Sequence, residues 1–290
     1  MTSSQSNRAI FFCRCNALVW LILLSSCAVA QVSNPGPECS SPEVVLQRYI
    51  DAVGGEAALQ RIQTRMAEAN QSMPATYKPT VLEHFKYRFE WKAPNKVVFR
   101  HTDYWFGFAA KTFLGANTFK FDGQNWSDFD GTLTRNDDRT PPRQRKLKAE
   151  YPMFDGPFHM MARVVADPLM VARSKELYSN FKVSYELKAG SGLCALYASG
   201  PDGHTRDTLY FDAQSGLLKT WEIQMPGWRP SGDFYFHFQF DDYRQVGEVT
   251  FPYYIYFDFY KATFRFTKVV HNLALADSDF VPKPKKPGAY

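Results

Sequence analysis

The side chains able to do chemistry are few and far apart. Six histidines occur, His84, His101, His159, His204, His237 and His271. None follows the H-E-x-x-H pattern, and no two stand four residues apart, the spacing that puts two imidazoles on one helical face for a metal. His84 and His237 fall on the polar faces of their strands, where a solvated ring is the ordinary outcome. Gly190-Ser191-Gly192 reads as a turn and lacks the G-x-S-x-G elbow that exposes a nucleophilic serine. No Walker loop and no glycine-rich dinucleotide fingerprint is present. Asp241-Asp242 is an adjacent carboxylate pair, but it ends a strand at a turn, which favours a structural role. The sequence therefore offers no catalytic residue, no metal ligands and no cofactor site, and the expectation is a protein that is not an enzyme. The remaining chemistry is that of sulfur. Cys39 and Cys194 are an even pair in an oxidising compartment, open either to a disulfide tying the N-terminal segment to a strand or to two unrelated thiols. Spacing alone cannot decide, because a disulfide needs Cα atoms within about 7 Å.

The compartment is read from the N-terminus. Arg8 and Arg14 precede an apolar run from Ala17 to Leu24 and then small residues ending Ala28-Val29-Ala30. A basic region, a short apolar region and an A-x-A site describe a secretory signal peptide over residues 1–30. The run is too short to span ~30 Å of hydrocarbon as a helix. Two cleavages are open. Ala28-Val29-Ala30 before Gln31 suits ordinary signal peptidase, whereas Leu24-Ser25-Ser26-Cys27 has the form of a lipobox, in which Cys27 would be acylated. The expected location is periplasmic, or anchored to the outer membrane if Cys27 is lipidated. Arg8 and Arg14 are the only charged residues of the first 30, so their removal lowers the net charge from +5 to +3. That balance argues against nucleic acid. Arg143 to Lys148, beside Pro141-Pro142, is read as a solvated loop, with contact to anionic lipid headgroups at a membrane surface as the alternative.

Residues 31–41 read as a tether, 42–282 as one domain, and 283–290, with Lys283-Pro284-Lys285-Lys286-Pro287, as a solvated tail. Ser41 caps a helix with Pro42 at its first position, Gly54-Gly55 ends it, and Glu56 to Ile62 begins a second. The hydrophobic period then changes from 3.6 to 2. Val81, Phe85, Tyr87, Phe89 and Trp91 alternate with charged neighbours, and Phe234, Phe236, Phe238 and Phe240 form an aromatic row. Ten or eleven strands joined by short turns imply antiparallel pairing. Phe158 to Ser179 interrupts them at helical spacing, with a break at Asp167-Pro168. The fold class is mainly β: an open antiparallel half-barrel with a helical lid or plug.

A sheet with one aromatic face must cover it. So many strands curl, placing that face inside a hollow that two short helical stretches do not fill. The candidate lining of an apolar ligand site is Phe85, Tyr87, Phe89, Trp91, Phe99, Tyr185, Trp221, Phe236, Phe238, Phe257 and Phe264, under a lid carrying Met160, Met161 and Met170. Lys219 is expected to be the main polar side chain facing inward. A chain of about 14 methylenes buried there contributes roughly 10 kcal/mol before ordering costs. The expected partner is a lipid or an acylated protein; a ligand-free interaction or scaffold module of the envelope is the alternative. An integral outer-membrane barrel is excluded by the Lys, Arg and Glu on the outward faces.

Several motifs carry a family resemblance. Tyr49…Gly54-Gly55-Glu56…Leu59, Phe121-Asp122-Gly123…Trp126, Tyr210-Phe211-Asp212…Gly216-Leu217-Leu218, Asp242-Tyr243-Arg244…Phe251-Pro252 and Phe266-Thr267…Val269…Asn272…Phe280…Pro282 occur in that order. Together they resemble a bacterial family related to outer-membrane lipoprotein-sorting proteins. The resemblance implies the fold shared by the carrier LolA and the receptor LolB: an open, roughly eleven-stranded antiparallel barrel with a helical lid over an acyl-binding hollow. The stretch 127–165 is longer here than is typical of that family, and no defined position matches the arginine of the LolA lid.

Overall fold

The computed structural model describes residues 37–75, 78–104, 118–123, 126–127, 133–134, 157–188, 191–200, 206–229 and 232–282. Expectations for the signal peptide, for Cys27, for the basic stretch and for the tail fall outside them. Thirteen strands form one antiparallel sheet: β1 (Thr64–Ala75), β2 (Lys78–Lys92), β3 (Lys96–Tyr104), β4 (Thr118–Phe121), β5 (Trp126–Ser127), β6 (Leu133–Thr134), β7 (Asn180–Lys188), β8 (Ser191–Ser199), β9 (Arg206–Asp212), β10 (Leu218–Arg229), β11 (Gly232–Val246), β12 (Val249–Phe257) and β13 (Ala262–His271). β5 and β6 have two residues each, so eleven strands carry the architecture. The order is β6-β5-β4-β3-β2-β1-β13-β12-β11-β10-β9-β8-β7, with β6 and β7 as edges. The chain thus lays down one half outward from β1, resumes at the far edge with β7, and returns strand by strand until β13 pairs with β1.

The helices lie where this route needs cover. Helix α1 (Pro42–Ala52) starts at Ser41, whose side chain accepts from the Val44 N–H at 3.3 Å, and buries Val45, Leu46 and Tyr49. Gly54 has φ +121°, and a Cβ there would strike the Glu248 carbonyl, so this turn lies directly on the β11–β12 hairpin. The Thr250 N–H donates to Val53 O at 2.9 Å beside it. Helix α2 (Glu56–Arg61) follows, tied by Arg61 to Glu248 at 2.6 Å. Helix α3 (Pro157–Ala166) packs on β2 and β3, and a 3₁₀ turn (Met170–Arg173) and helix α4 (Ser174–Leu177) lead to β7. Met160, Met161, Val164 and Val165 join the inward aromatic residues of the strands in one continuous core. Cys39 and Cys194 are joined in a disulfide with Cα atoms 5.4 Å apart, closing a separation of 155 residues. The end of the 31–41 stretch is therefore folded: Pro37–Cys39 is a short 3₁₀ turn with Cys39 buried.

Two expectations change for reasons of register. Lys219 faces outward, bonded to Asp241 at 3.1 Å, because the β9–β10 pairing shifts between Leu218 and Thr220; Leu218 and Trp221 can then both point inward. Asp241-Asp242 lies inside β11 and not at its end. Asp242 has φ +52°, a kink in the strand, and its carboxylate takes two bonds from Arg244. The outer face is also less uniformly solvated than its charges suggest. Residues 272–282, including helix α5 (Asp277–Phe280), rest against β3, where Phe280 and Val98 are fully buried. Lys92 and Lys96 both reach Asp277, and Glu90 is buried between Arg88 and Arg100.

Candidate functional site

A cavity of about 410 Å³ opens at the end of the barrel that carries α1 and α2. Leu46, Ile50, Leu59 and Ile62 form one apolar wall, and Leu169 and Ala172 the other. Its floor is Trp91 at the end of β2, together with Arg65, Asp167 and Arg173. Gln47, Glu56, Gln60, Gln63 and Lys175 are exposed at its rim. The volume lies in the range of about 300–1,000 Å³ in which small-molecule sites fall.

The floor is unusual in its charges. Arg65 is 2% exposed, stands opposite Trp91 and His271 in the sheet, and bonds Asp167 Oδ1 at 2.9 Å and the Ala166 carbonyl at 3.3 Å. Its guanidinium lies 5.2 Å from the Trp91 ring and 5.0 Å from that of Phe251. Arg173 reaches the other oxygen of Asp167 at 2.5 Å and also covers Trp91, at 5.3 Å. Arg163 stands one turn before Asp167 on α3, with its guanidinium 5.8 Å from the Phe121 ring. Burial lowers the pKa of Arg65, and Asp167 raises it in part; burial likewise pulls Arg163 down to about 10. His271 is pushed down to about 4, first by burial and then by the Arg65 charge. Burial raises the pKa of the Tyr49 hydroxyl, and the Asp167 charge adds to this. Arg65 Nε, Arg163 Nη1, Tyr49 Oη and His271 Nε2 are buried without a hydrogen-bond partner.

Of the expected lining residues, Trp91 borders this cavity. The others do not line it: most are buried in the continuous core, and Phe85 and Tyr185 pack against that core half-buried. Phe85, Tyr87, Phe89, Phe99 and Phe264 form one aromatic group, with Tyr87 and Phe99 centroids 4.5 Å apart and Phe89 and Phe264 at 6.0 Å. Phe236, Phe238 and Phe257 form a second, in which Phe238 stacks on Phe257 at 4.5 Å. Trp221 stands opposite Phe238, and its indole N–H donates to the buried Asp207 at 3.2 Å. Tyr185 is half-buried opposite Cys194. Met160, Met161 and Met170 are buried in the core beneath the helices. Sequence reasoning missed Arg65, Asp167 and Arg173. Arg65 and the apolar Ala67 and Ala69 share the inner face of β1 with Gln71, so that strand carries no hydrophobic alternation. Among the described residues no group of three or more His, Cys, Asp or Glu is placed to hold a metal ion.

No family model and no curated protein matches the chain. Solved structures do. A LolA superfamily protein from Nitrosomonas europaea superposes with a TM-score of 0.49 at 10% identity, over 83% of this chain and 97% of that one. A domain from Vibrio parahaemolyticus, assigned to outer membrane lipoprotein sorting, reaches 0.50 at 12% identity, over 81% of this chain and 94% of that one. The chain has a LolA-like fold. At this identity the likeness is one of backbone. The cavity of the LolA-like barrel described here lies between its helices.

Proposed function

We propose that this protein is an exported carrier that holds an acyl chain or a comparably apolar ligand between α1–α2 and the 167–175 segment. One observation carries the reading: a cavity of about 410 Å³ with apolar walls lies between the helices of a LolA-like barrel, with Trp91 of the core at its floor. Each methylene placed there contributes about 0.8 kcal/mol, so an alkyl chain of about ten carbons supplies roughly 8 kcal/mol before ordering costs, enough for soluble transport. The partners in this reading are a lipid or an acylated protein, and its place is the periplasm, or the outer membrane if Cys27 is acylated. No catalytic step is assigned to it. A second reading has its own support. Met160, Met161, Val164 and Val165 fill much of the hollow beneath the strands, as a ligand-free interaction module would require. Native mass spectrometry of protein purified from an envelope fraction separates the two. The carrier predicts a mass increment of a lipid that organic solvent removes. A bare mass, together with no displacement of the neutral dye N-phenyl-1-naphthylamine by alkyl amphiphiles, would leave only the interaction module.

A further inference from the structure

Two guanidinium groups bond one carboxylate at the cavity floor, and a third stands nearby on α3. Arg65 and Arg173 both bond Asp167, and Arg163 stands four residues before it on α3, its carbonyl accepting from the Asp167 N–H at 2.9 Å. Among the described residues Asp167 is the one carboxylate bonded to Arg65 and Arg173, with Arg65 almost wholly buried and Arg173 about a third exposed. The donor count points the same way. Arg65 lines the cavity, is almost wholly buried, and leaves its Nε–H unpartnered, while Arg163 Nη1 and the Tyr49 hydroxyl behind it are also unpaired. Buried donors are rarely left unmet in the functional state, because each forfeits its hydrogen bond to water. Burial lowers the pKa of both Arg65 and Arg163, and the Asp167 charge offsets this only in part.

We infer that the ligand is an anionic single-chain amphiphile, its carboxylate or phosphate monoester head received by Arg65 and Arg173 on the cavity floor and its alkyl chain lying against Leu46, Ile50, Leu59 and Leu169. This deepens the carrier reading and rests on it. Asp167 bonds both arginines and neutralises one of their two charges, so the floor retains a positive potential for the incoming head. Trp91 lies under both guanidiniums and holds their planes. Arg163 acts through that potential and not by contact.

The test compares three probes of equal chain length, dodecanoate, dodecyl phosphate and dodecanol, by displacement of N-phenyl-1-naphthylamine from delipidated protein at neutral pH. At least one of the two anions is expected to bind about tenfold or more tightly than the alcohol, a difference of about 1.4 kcal/mol. The tighter of the two identifies a carboxylate or a phosphate source. Arg173→Gln is expected to erase most of that preference, read as the ratio of anion to dodecanol affinity in the same variant. Arg163→Met, checked like it for native circular dichroism, should reduce the preference partway. Equal affinity for all three probes, or a preference unchanged in both variants, overturns the anionic head and leaves the carrier standing. Failure of every probe to bind overturns the carrier as well.

Discussion

Asp167→Asn removes one negative charge and almost no volume from the point where two guanidinium groups converge. Arg65, 2% exposed, would keep the Ala166 carbonyl and the faces of Trp91 and Phe251, but would lose its one counter-ion among the described residues. Stranding a buried charge in this way costs about 3–5 kcal/mol. Arg173 adds little, since its side chain is 34% exposed and solvent screens it. The reverse change is milder. In Arg65→Met, Asp167 still has Arg173 at 2.5 Å, and a side chain of similar length fills the slot between the two rings; about 1–2 kcal/mol is expected. The double variant should therefore be little worse than Asp167→Asn alone, and more stable if the freed desolvation cost outweighs the lost pair, with a coupling of about 1–3 kcal/mol. Urea titrations of the four proteins at pH 7.5 measure this, with unchanged denaturant slopes securing the comparison. If Asp167→Asn costs under about 1 kcal/mol, or Arg65→Met costs more than Asp167→Asn, then Arg65 is not a buried charge dependent on one carboxylate, and the reasoning about the floor fails.

Two further outcomes follow from the same structure. The disulfide between Cys39 and Cys194 spans 155 residues, for which chain entropy alone gives about 5 kcal/mol; Cys39→Ser with Cys194→Ser is expected to cost about 2–5 kcal/mol by the same titration, and a loss below 1 would mean the reduced chain already holds the α1 start in place. His271 has a folded pKa near 4 against an ordinary value of 6.5, so the folded state favours the neutral ring. Its contribution is fully present above pH 6.5 and is lost as pH falls toward 4. With the ring half-buried the loss is about 1–2 kcal/mol after screening. His271→Gln should remove that part of the slope in stability between pH 7 and pH 4.5, and an identical slope would assign it to the carboxylates.

The strands that stand out in the sequence are those whose inward positions are large and apolar. β2 places Tyr87, Phe89 and Trp91 on one face, and β11 places Phe236, Phe238 and Phe240; the alternation is legible because a half-buried strand has a strict period of two. Ser41-Pro42 and Gly54-Gly55 likewise mark α1 by local chemistry alone. β1 shows no such pattern, although it is central to the sheet. Its inner face carries Ala67 and Ala69 because Tyr87, Phe89 and Phe266 beside them already occupy the space. The inward turn of Leu218 and outward turn of Lys219 depend on a slip in register with β9, which no periodicity within β10 encodes. The cavity floor lies still further from local signal. Arg65 and Asp167 are separated by 102 residues, and only the crossover from one edge of the sheet to the other brings them together. Composition and period determine which face of each strand avoids water, because that choice is made residue by residue. Where the interior stays open, and which charges are trapped beside it, is decided by how the helices dock, because burial of a polar group is a property of the whole packed assembly and not of its neighbours in the chain.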